Sequence, residues 1–327
     1  MAVWQDSLEP SAEVCGLYQI KNRIVKNRWG VWLRLTAMTV IAVLLIKTLL
    51  ITSCFIPSSG MENTLYQGEG VLVSKWSYGL RVPFPSVFGY HRIGEQLVKR
   101  GDIVLFNNPN PSDKDRRIES RELFISRCIG TAGDTLMLNR ELIDTAGKVF
   151  SPDSKSLYCY PASCEDSVRM MLDSLGISGN ALVGYTPEGA YIRSFSHYEY
   201  YLLTQLAGER IPFSLYQDGI KEKAYPYVVP QKGRAVEVHP WNRALLCNTI
   251  RNHEHKRAEI RRDTLFVEGK PVKMYVFSKN YYWMASNNPV NLCDSRLFGF
   301  VPEDHIIGKA LYVWFTSQKG RFFQRIE

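Results

Sequence analysis

The sequence predicts a mainly β protein preceded by one transmembrane helix, and two observations lead to this fold class. A single apolar run, at 35–56, lies near the N-terminus. From residue 57 on, short runs rich in Val, Ile, Phe and Tyr alternate with Gly, Pro and Asn, a pattern typical of strands and turns. The 327 residues are 45% hydrophobic, 12% aromatic and 22% charged, which excludes collagen-like and intrinsically disordered classes.

The apolar run at 35–56 is long enough to cross a bilayer. As a helix rising about 1.5 Å per residue it would be roughly 33 Å long, against a hydrocarbon core of about 30 Å. Its only charge is Lys47, whose stem can carry the ammonium toward the interface. We therefore expect membrane lipid as a partner of this segment.

The arm at 1–34 indicates which way the anchor points. It contains a group of basic residues with no acid between Gln19 and Leu35: Lys21, Arg23, Lys26, Arg28 and Arg34. The positive-inside tendency then predicts a single-pass protein of the cytoplasmic (inner) membrane, with a cytoplasmic N-terminus and an extracytoplasmic domain from residue 57. Part of the net charge of +8 is explained by this orientation.

Two alternatives to a transmembrane anchor stay open. The run could be a buried helix of a soluble core, or residues 51–54 could be a lipoprotein processing box with Cys54 as the lipidated residue. A cleaved secretory signal fits poorly, because its apolar region is about 7 to 15 residues long and starts sooner. The lipoprotein alternative leaves the same domain anchored outside.

The outer domain contains ten strand candidates and two helical segments. The helical segments are 196–207 and 241–261. Basic residues at the end of the second segment are read as a solvated face, not a nucleic-acid site, because no aromatic residues interleave with them. The strand candidates are 71–73, 103–106, 123–129, 135–138, 227–229, 235–238, 264–267, 272–277, 281–285 and 310–315.

The mixed polar stretch at 139–226 is predicted to be an inserted lobe in a core formed by 57–138 and 227–327. It contains Cys159 and Cys164, which form either a small loop disulfide or two free thiols. The seven Cys include no CxxC, and the His residues show no ligand spacing with carboxylates. We therefore expect neither a metal nor a cofactor.

Four segments in order resemble the conserved boxes of type I signal peptidases, the membrane serine endopeptidases that remove signal peptides from exported proteins. The segments are IPSSGMENTL at 56–65 with the following strand to residue 81, RGDIVLF at 100–106, FISRCIGTAGD at 124–134, and DSRLFGFVPE at 294–303. The resemblance covers 35–138 and 227–315. It implies a mostly β catalytic core with a second lobe, no cofactor, and signal peptides of exported preproteins as partners.

The resemblance also implies a Ser-Lys dyad, and neither residue is present where the motif expects it. The nucleophile position is Gly60, which has no side chain to attack with, and the general-base position is Ser126. The family's mechanism needs a Ser hydroxyl and a desolvated, neutral Lys. Ser58 matches a hydroxyl that donates to the oxyanion. The substrate groove would include Pro57, Met61, Ile125 and Arg127.

The last box departs from the family pattern as well. Ser286 stands where an acid would be expected to pair with Arg127. The Ser that orients the Lys falls on Asn291 or Leu292, because the stretch is one residue longer. Asp294 and Arg296 are retained as structural residues near the site.

Ser59, adjacent to Gly60, is one candidate substitute for the nucleophile. In an extended segment, however, its side chain would face away from the site. Ser58 faces the site but lies about 6.6 Å upstream. Ser126 has no evident base, and no motif supports Lys75 as one.

Three functions follow from these observations. The leading interpretation is an impaired or inactive signal peptidase-like protein that binds signal peptides or an active paralogue. One alternative is an active serine endopeptidase with Ser58 or Ser59 as a displaced nucleophile. The other is a non-catalytic envelope scaffold whose useful part is the inserted lobe.

Overall fold

The computed structural model describes residues 12–83, 87, 89–110, 116–139, 153–177, 180–216, 223–290 and 293–326. These residues divide into two compact units, Met1–Leu50 and Ile51–Glu327. The first eleven residues of the predicted arm lie outside the described residues, as do Asn291 and Leu292.

The described residues of the first unit form one helix. Helix α1 (Ala12–Leu45) continues as a π-helical turn, Ile46–Leu50. Its part Trp29–Leu50 has a mean hydropathy of 2.0 and is long and apolar enough to cross a membrane, the one such helix in the described part of the chain.

The predicted end of the apolar helix, at residue 56, is wrong. Residues Ile51–Phe55 form strand β1, which pairs antiparallel with β2 (Gly70–Ser74). The sheet thus supplies the backbone hydrogen-bond partners of this apolar stretch, and β-branched Ile51 and Thr52 suit a strand. Hydropathy alone did not separate the two states because the stretch is apolar in both.

The second unit is built on an antiparallel sheet of eight strands in the order β1-β2-β20-β5-β6-β18-β19, with β21 beside β20. Besides β1 and β2 the strands are β5 (Ile103–Asn107), β6 (Leu123–Gly130), β18 (Tyr281–Ala285), β19 (Val301–Pro302), β20 (Ile306–Phe315) and β21 (Gln324–Arg325).

Strand β5 lies near the middle of this sheet and is buried on both faces. Since side chains alternate along a strand, Ile103 and Leu105 pack in one apolar cluster, and Val104 and Phe106 pack in another. The first cluster also contains Met61, the residue after Gly60, so the core itself fixes the segment where a nucleophile is expected.

Smaller sheets and short helices surround the main sheet. The two-stranded sheets are β3 (Leu80–Arg81) with β4 (Arg92–Ile93), β7 (Thr135–Leu138) with β12 (Tyr225–Val228), and β13 (Ala235–Glu237) with β17 (Met274–Val276). A three-stranded sheet is formed by β14 (Ala258–Arg261), β15 (Thr264–Val267) and β16 (Lys270–Pro271). Each of the ten predicted strands overlaps an observed one.

The predicted inserted lobe contains a four-stranded sheet in the order β11-β8-β10-β9 and its own apolar core, which includes Tyr160, Phe195 and Leu203. Its boundaries, 139–226, stay a prediction. Its elements are β8 (Lys155–Tyr160), α2 (Glu165–Ser174), β9 (Leu182–Tyr185), β10 (Tyr191–Ser196), α3 (His197–Ala207) and β11 (Ser214–Leu215).

Both predicted helices of the outer domain are present, but one is shorter than expected. Ser196 caps α3, where its hydroxyl accepts from the Glu199 amide in a capping box. The segment predicted at 241–261 is helical only over α4 (Arg243–His253). His255 then takes a positive φ of 54°, and the chain turns into β14, where the pairing with β15 overrides helix propensity.

Cys159 and Cys164 are free thiols, so of the two alternatives for this pair the disulfide is wrong. The Cys159 thiol instead lies 3.0 Å from the hydroxyl of Ser214 on the neighbouring strand.

Candidate functional site

The nucleophile position lies in a single turn of 3-10 helix, Ser59–Met61. Ser58 precedes the turn, and its Oγ accepts a long hydrogen bond of 3.5 Å from the Gly60 amide. The prediction of an extended segment is therefore wrong here, because the chain turns to bury Gly60 and Met61. Strand alternation then says nothing about where the Ser59 side chain points, and it does not separate Ser59 from Ser58 as a substitute nucleophile.

The general-base position lies on β6, against this turn. Ser126 is completely buried, and its Oγ donates to the Cys293 carbonyl at 3.0 Å. Its neighbour Ile125 packs in the same apolar cluster as Met61. The fold thus brings together the two segments that the resemblance pairs, with a glycine on one and a hydroxyl on the other.

The segment after β18 closes the site from a third side. The Asn288 amide donates to the Gly60 carbonyl at 2.9 Å. Asn287 Nδ2 donates to the Glu62 carbonyl at 3.1 Å and to Thr64 Oγ1 at 2.8 Å. These bonds join the turn to the residues that replace the family's last box.

Asp294 and Arg296 support this segment from within. Asp294 is completely buried and caps the short helix α5 (Ser295–Phe298), where its carboxylate accepts from the Arg296 amide at 3.0 Å. The Arg296 guanidinium pairs with the same carboxylate at 2.5 Å. The Ser286 amide donates to it at 2.6 Å. Both residues hold the backbone of the box and neither needs to meet a substrate to do so.

Arg127 finds an acid, although not at position 286. Its guanidinium lies 3.7 Å from Asp153 Oδ2 and donates to Thr64 Oγ1 at 3.0 Å and to the Gly101 carbonyl at 3.1 Å. Burial lowers the pKa of Arg127, and the charge of Asp153 opposes that shift. The acid comes from just before β8, in the range predicted as the lobe.

Lys155 is the site residue that the sequence reasoning missed. Its Nζ donates to Glu62 Oε2 at 2.9 Å and lies 3.8 Å from Glu199 Oε2, and its side chain is completely buried. Burial raises the pKa of the Glu62 carboxyl, and the Lys155 ammonium offsets this only in part. No motif marks Lys155, because it begins a strand in a polar stretch where a lysine is ordinarily exposed.

The contacts of Lys155 are to acids, an arrangement that does not favour it as the missing general base. A base must offer a lone pair to a nucleophile's proton, whereas this nitrogen donates to a carboxylate and lies close to a second one. The other predicted groove residue, Pro57, is exposed, and its carbonyl accepts from Gln67 Nε2 at 3.1 Å.

Half of one edge of β6 has no strand partner among the described residues. Strand β18 pairs with β6 from Arg127 to Gly130, while β5 pairs with Leu123–Arg127 on the other side. Among the described residues no strand pairs with Leu123–Ser126 on the side of β18. Leu123 is 47% exposed, and Phe124 beside it stacks on Phe298 at 5.8 Å.

Most of the chain is similar to one protein family. The family model "Signal peptidase, peptidase S26" matches residues 29–172 and 206–315, passing over the end of α2, β9, β10 and most of α3.

Individual relatives show the same likeness. Signal peptidase I of Buchnera aphidicola subsp. Schizaphis graminum is 25% identical over 86% of this chain and 73% of its own length. That of the Acyrthosiphon pisum subspecies is 26% identical over the same shares. Signal peptidase I of Aquifex aeolicus is 24% identical over 86% of this chain and 82% of its own length.

Proposed function

The chain belongs to the signal peptidase family, peptidase S26, and we propose that it binds signal peptides in extended form but does not cleave them. The observation that carries this proposal is the pair Gly60 and Ser126. The segments that carry both positions lie together, but Gly60 has no side chain and the Ser126 hydroxyl donates to the Cys293 carbonyl. Loss of a nucleophile or base in a serine hydrolase costs around a millionfold in rate.

The open half of β6 supports peptide binding by strand addition. An extended peptide beside Leu123–Ser126 would gain main-chain hydrogen bonds and place alternate side chains against the protein. The turn Ser59–Met61 is not extended, so strand addition is proposed for the β6 side alone. An active signal peptidase in the same membrane is the proposed protein partner, to which this chain would present a bound but uncleaved peptide.

We place the protein in the cytoplasmic (inner) membrane, with its N-terminus inside and the unit Ile51–Glu327 outside. The basic residues before the apolar helix support this orientation. In that arrangement the open edge of β6 meets exported chains after they have crossed the membrane.

A cleavage assay tests the loss of activity. The full-length protein in detergent is incubated with a purified preprotein, with an active signal peptidase as positive control. We expect no processing by the wild type, by Ser58→Ala or by Ser59→Ala. Processing by the wild type that disappears in either alanine variant would establish the displaced nucleophile and overturn the proposal.

Photo-crosslinking tests the binding. An alanine-rich signal peptide that carries a photoreactive phenylalanine should crosslink to residues around 123–126 and remain uncleaved. Leu123→Lys, which places a charge on the exposed part of the edge, should reduce the yield. Absence of crosslinking in the wild type would leave the scaffold interpretation as the better one.

A further inference from the structure

One acidic and one basic side chain in the first part of the predicted lobe, Asp153 and Lys155, reach into the site. Their contacts are Glu62 and Thr64 after the nucleophile turn, Arg127 on β6, and Asn287 after β18. These segments are far apart in sequence. Nothing in the signal peptidase resemblance assigns a role to either residue.

The contacts of Asp153 meet at the hydroxyl of Thr64. That hydroxyl donates to Asp153 Oδ2 at 2.5 Å and accepts from Arg127 at 3.0 Å and from Asn287 at 2.8 Å. A hydroxyl has one proton and two lone pairs, so its capacity is fully used. Removing the Asp153 charge removes the acid that pairs with Arg127 and weakens the acceptor that fixes the hydroxyl's direction.

The contacts of Lys155 lead to Gly60 through three hydrogen bonds. Lys155 Nζ donates to Glu62 Oε2 at 2.9 Å, and Asn288 Nδ2 donates to the same oxygen at 3.2 Å. The Asn288 amide then donates to the Gly60 carbonyl at 2.9 Å. In addition, the Lys155 amide donates to the Asn287 carbonyl at 2.7 Å, so main chain and side chain hold the same segment.

We infer that Asp153 and Lys155 are positioning residues through which the predicted lobe shapes the peptide groove. Lys155 fixes the Ser59–Met61 turn, and Asp153 fixes Arg127 beside the unpaired edge of β6. This inference rests on the proposed binding function. Peptide affinity then depends on the lobe, although the peptide itself lies against the core. Fixing the groove before binding lowers the ordering cost that a peptide must otherwise meet.

The test compares four forms of the full-length protein in detergent. Affinity for a fluorescent alanine-rich signal peptide and the thermal midpoint are measured for the wild type, Asp153→Asn, Asp153→Glu and Asp173→Asn. Asp173 is an exposed acid on α2 and serves as the matched control. We expect Asp153→Asn to bind about fivefold to tenfold more weakly, Asp153→Glu to recover part of that loss, and Asp173→Asn to match the wild type.

The midpoint separates positioning from simple loss of structure. Asp153 is partly exposed, so its neutral variant should stay folded, with a midpoint within a few degrees of the wild type. Wild-type affinity in Asp153→Asn would overturn the inference. So would a loss of affinity that Asp153→Glu does not reduce at all.

A second measurement keeps this test separate from that of the proposed function. Hydrogen exchange of the Asn288 amide, which donates to the Gly60 carbonyl, is followed without peptide in the wild type and in Lys155→Met. Because the variant is also less stable, exchange of the buried strand β5 is the reference for loss of structure as a whole. Exchange that quickens more at Asn288 than in β5 supports positioning even if the wild type binds no signal peptide, a result that would defeat only the proposed function. Exchange at Asn288 that quickens no more than in β5 overturns the inference.

Discussion

Lys155 Nζ lies 2.9 Å from Glu62 Oε2, and this ion pair is almost completely removed from solvent. The two residues are 93 positions apart, one at the start of β8 and the other directly after the nucleophile turn. Removing Lys155 from such a place leaves the Glu62 carboxyl buried without its ion-pair partner, which is costly even where the intact pair adds little net stability.

Replacing Lys155 with methionine should therefore strongly destabilise the protein. We expect Lys155→Met to lower the free energy of unfolding by about 3 to 5 kcal/mol, because Glu62 is left buried without its partner. The double variant Lys155→Met with Glu62→Leu should recover much of this loss. Urea unfolding of the detergent-solubilised chain measures both.

Lys273→Met is the control for this experiment, since Lys273 is exposed. Its effect should stay within about 0.5 kcal/mol. A single Lys155→Met variant as stable as the control would show that the pair contributes nothing.

Stability should fall with pH below about 6.5 because of a buried histidine pair. His253 and His305 are nearly inaccessible to solvent, with ring centres 5.5 Å apart. Burial lowers the pKa of both from the ordinary 6.5, and the cations Arg121 and Lys279 lower it further, while Asp304 opposes the shift. The unfolded chain thus binds more protons than the folded one below pH 6.5, so acid favours unfolding.

Thermal midpoints between pH 7.5 and 5.5 test this dependence. The variant His253→Gln removes one of the two rings, and its midpoint should fall less steeply with pH than that of the wild type. His91→Gln, at a residue outside this cluster, is the control. Identical pH profiles for His253→Gln and the wild type would contradict the expectation.

Moving the acid that pairs with Arg127 should restore what Asp153→Asn removes. We expect Asp153→Asn to cost about 1 kcal/mol at most, because that acid is partly exposed. Adding Ser286→Asp puts a carboxylate where the family resemblance expects one, and it should recover at least half of the loss. Ser286→Asn, which has a similar shape without the charge, should recover none, as judged by urea unfolding.

Installing the missing dyad should bring back cleavage. Gly60 is not among the glycines with positive φ, so its backbone accepts a serine, and a lysine at the buried position 126 would be desolvated as a base requires. We expect slow preprotein processing by Gly60→Ser with Ser126→Lys, and none by Gly60→Ser alone. Equal processing by both variants would show that position 126 is not the site of the base.

Local patterns predicted most of the core but little of the site. Ten strands follow from short runs of Val, Ile, Phe and Tyr between turn residues, and α3 follows from leucines that recur on one side of a helix, all of which are properties of neighbouring residues. The strands of the lobe carry no comparable apolar pattern. The turn at Ser59–Met61 was missed because its conformation is set by packing of Met61 in the core.

The ion pairs of the site could not be predicted, for a related reason. Nothing near Lys155 or Asp153 in the sequence shows that these charges are buried or partnered. The ion-pair partner of Asp153 is Arg127, 26 residues before it on β6. The acids around Lys155 are Glu62, 93 residues before it, and Glu199, 44 residues after it. Such pairings depend on the whole chain path and are decided only when the sheet and the lobe are both formed.

The salt bridge between Arg127 and Asp153 also predicts how the sequences of related proteins diverge. If an acid at either 153 or 286 can pair with Arg127, loss of the acid at 286 is tolerated only where 153 already carries one. Sequences that share the serine at 286 should then carry Asp or Glu at 153 far more often than sequences with an acid at 286. The two positions should covary across the family, and the order of the substitutions along a phylogeny should put the gain before the loss.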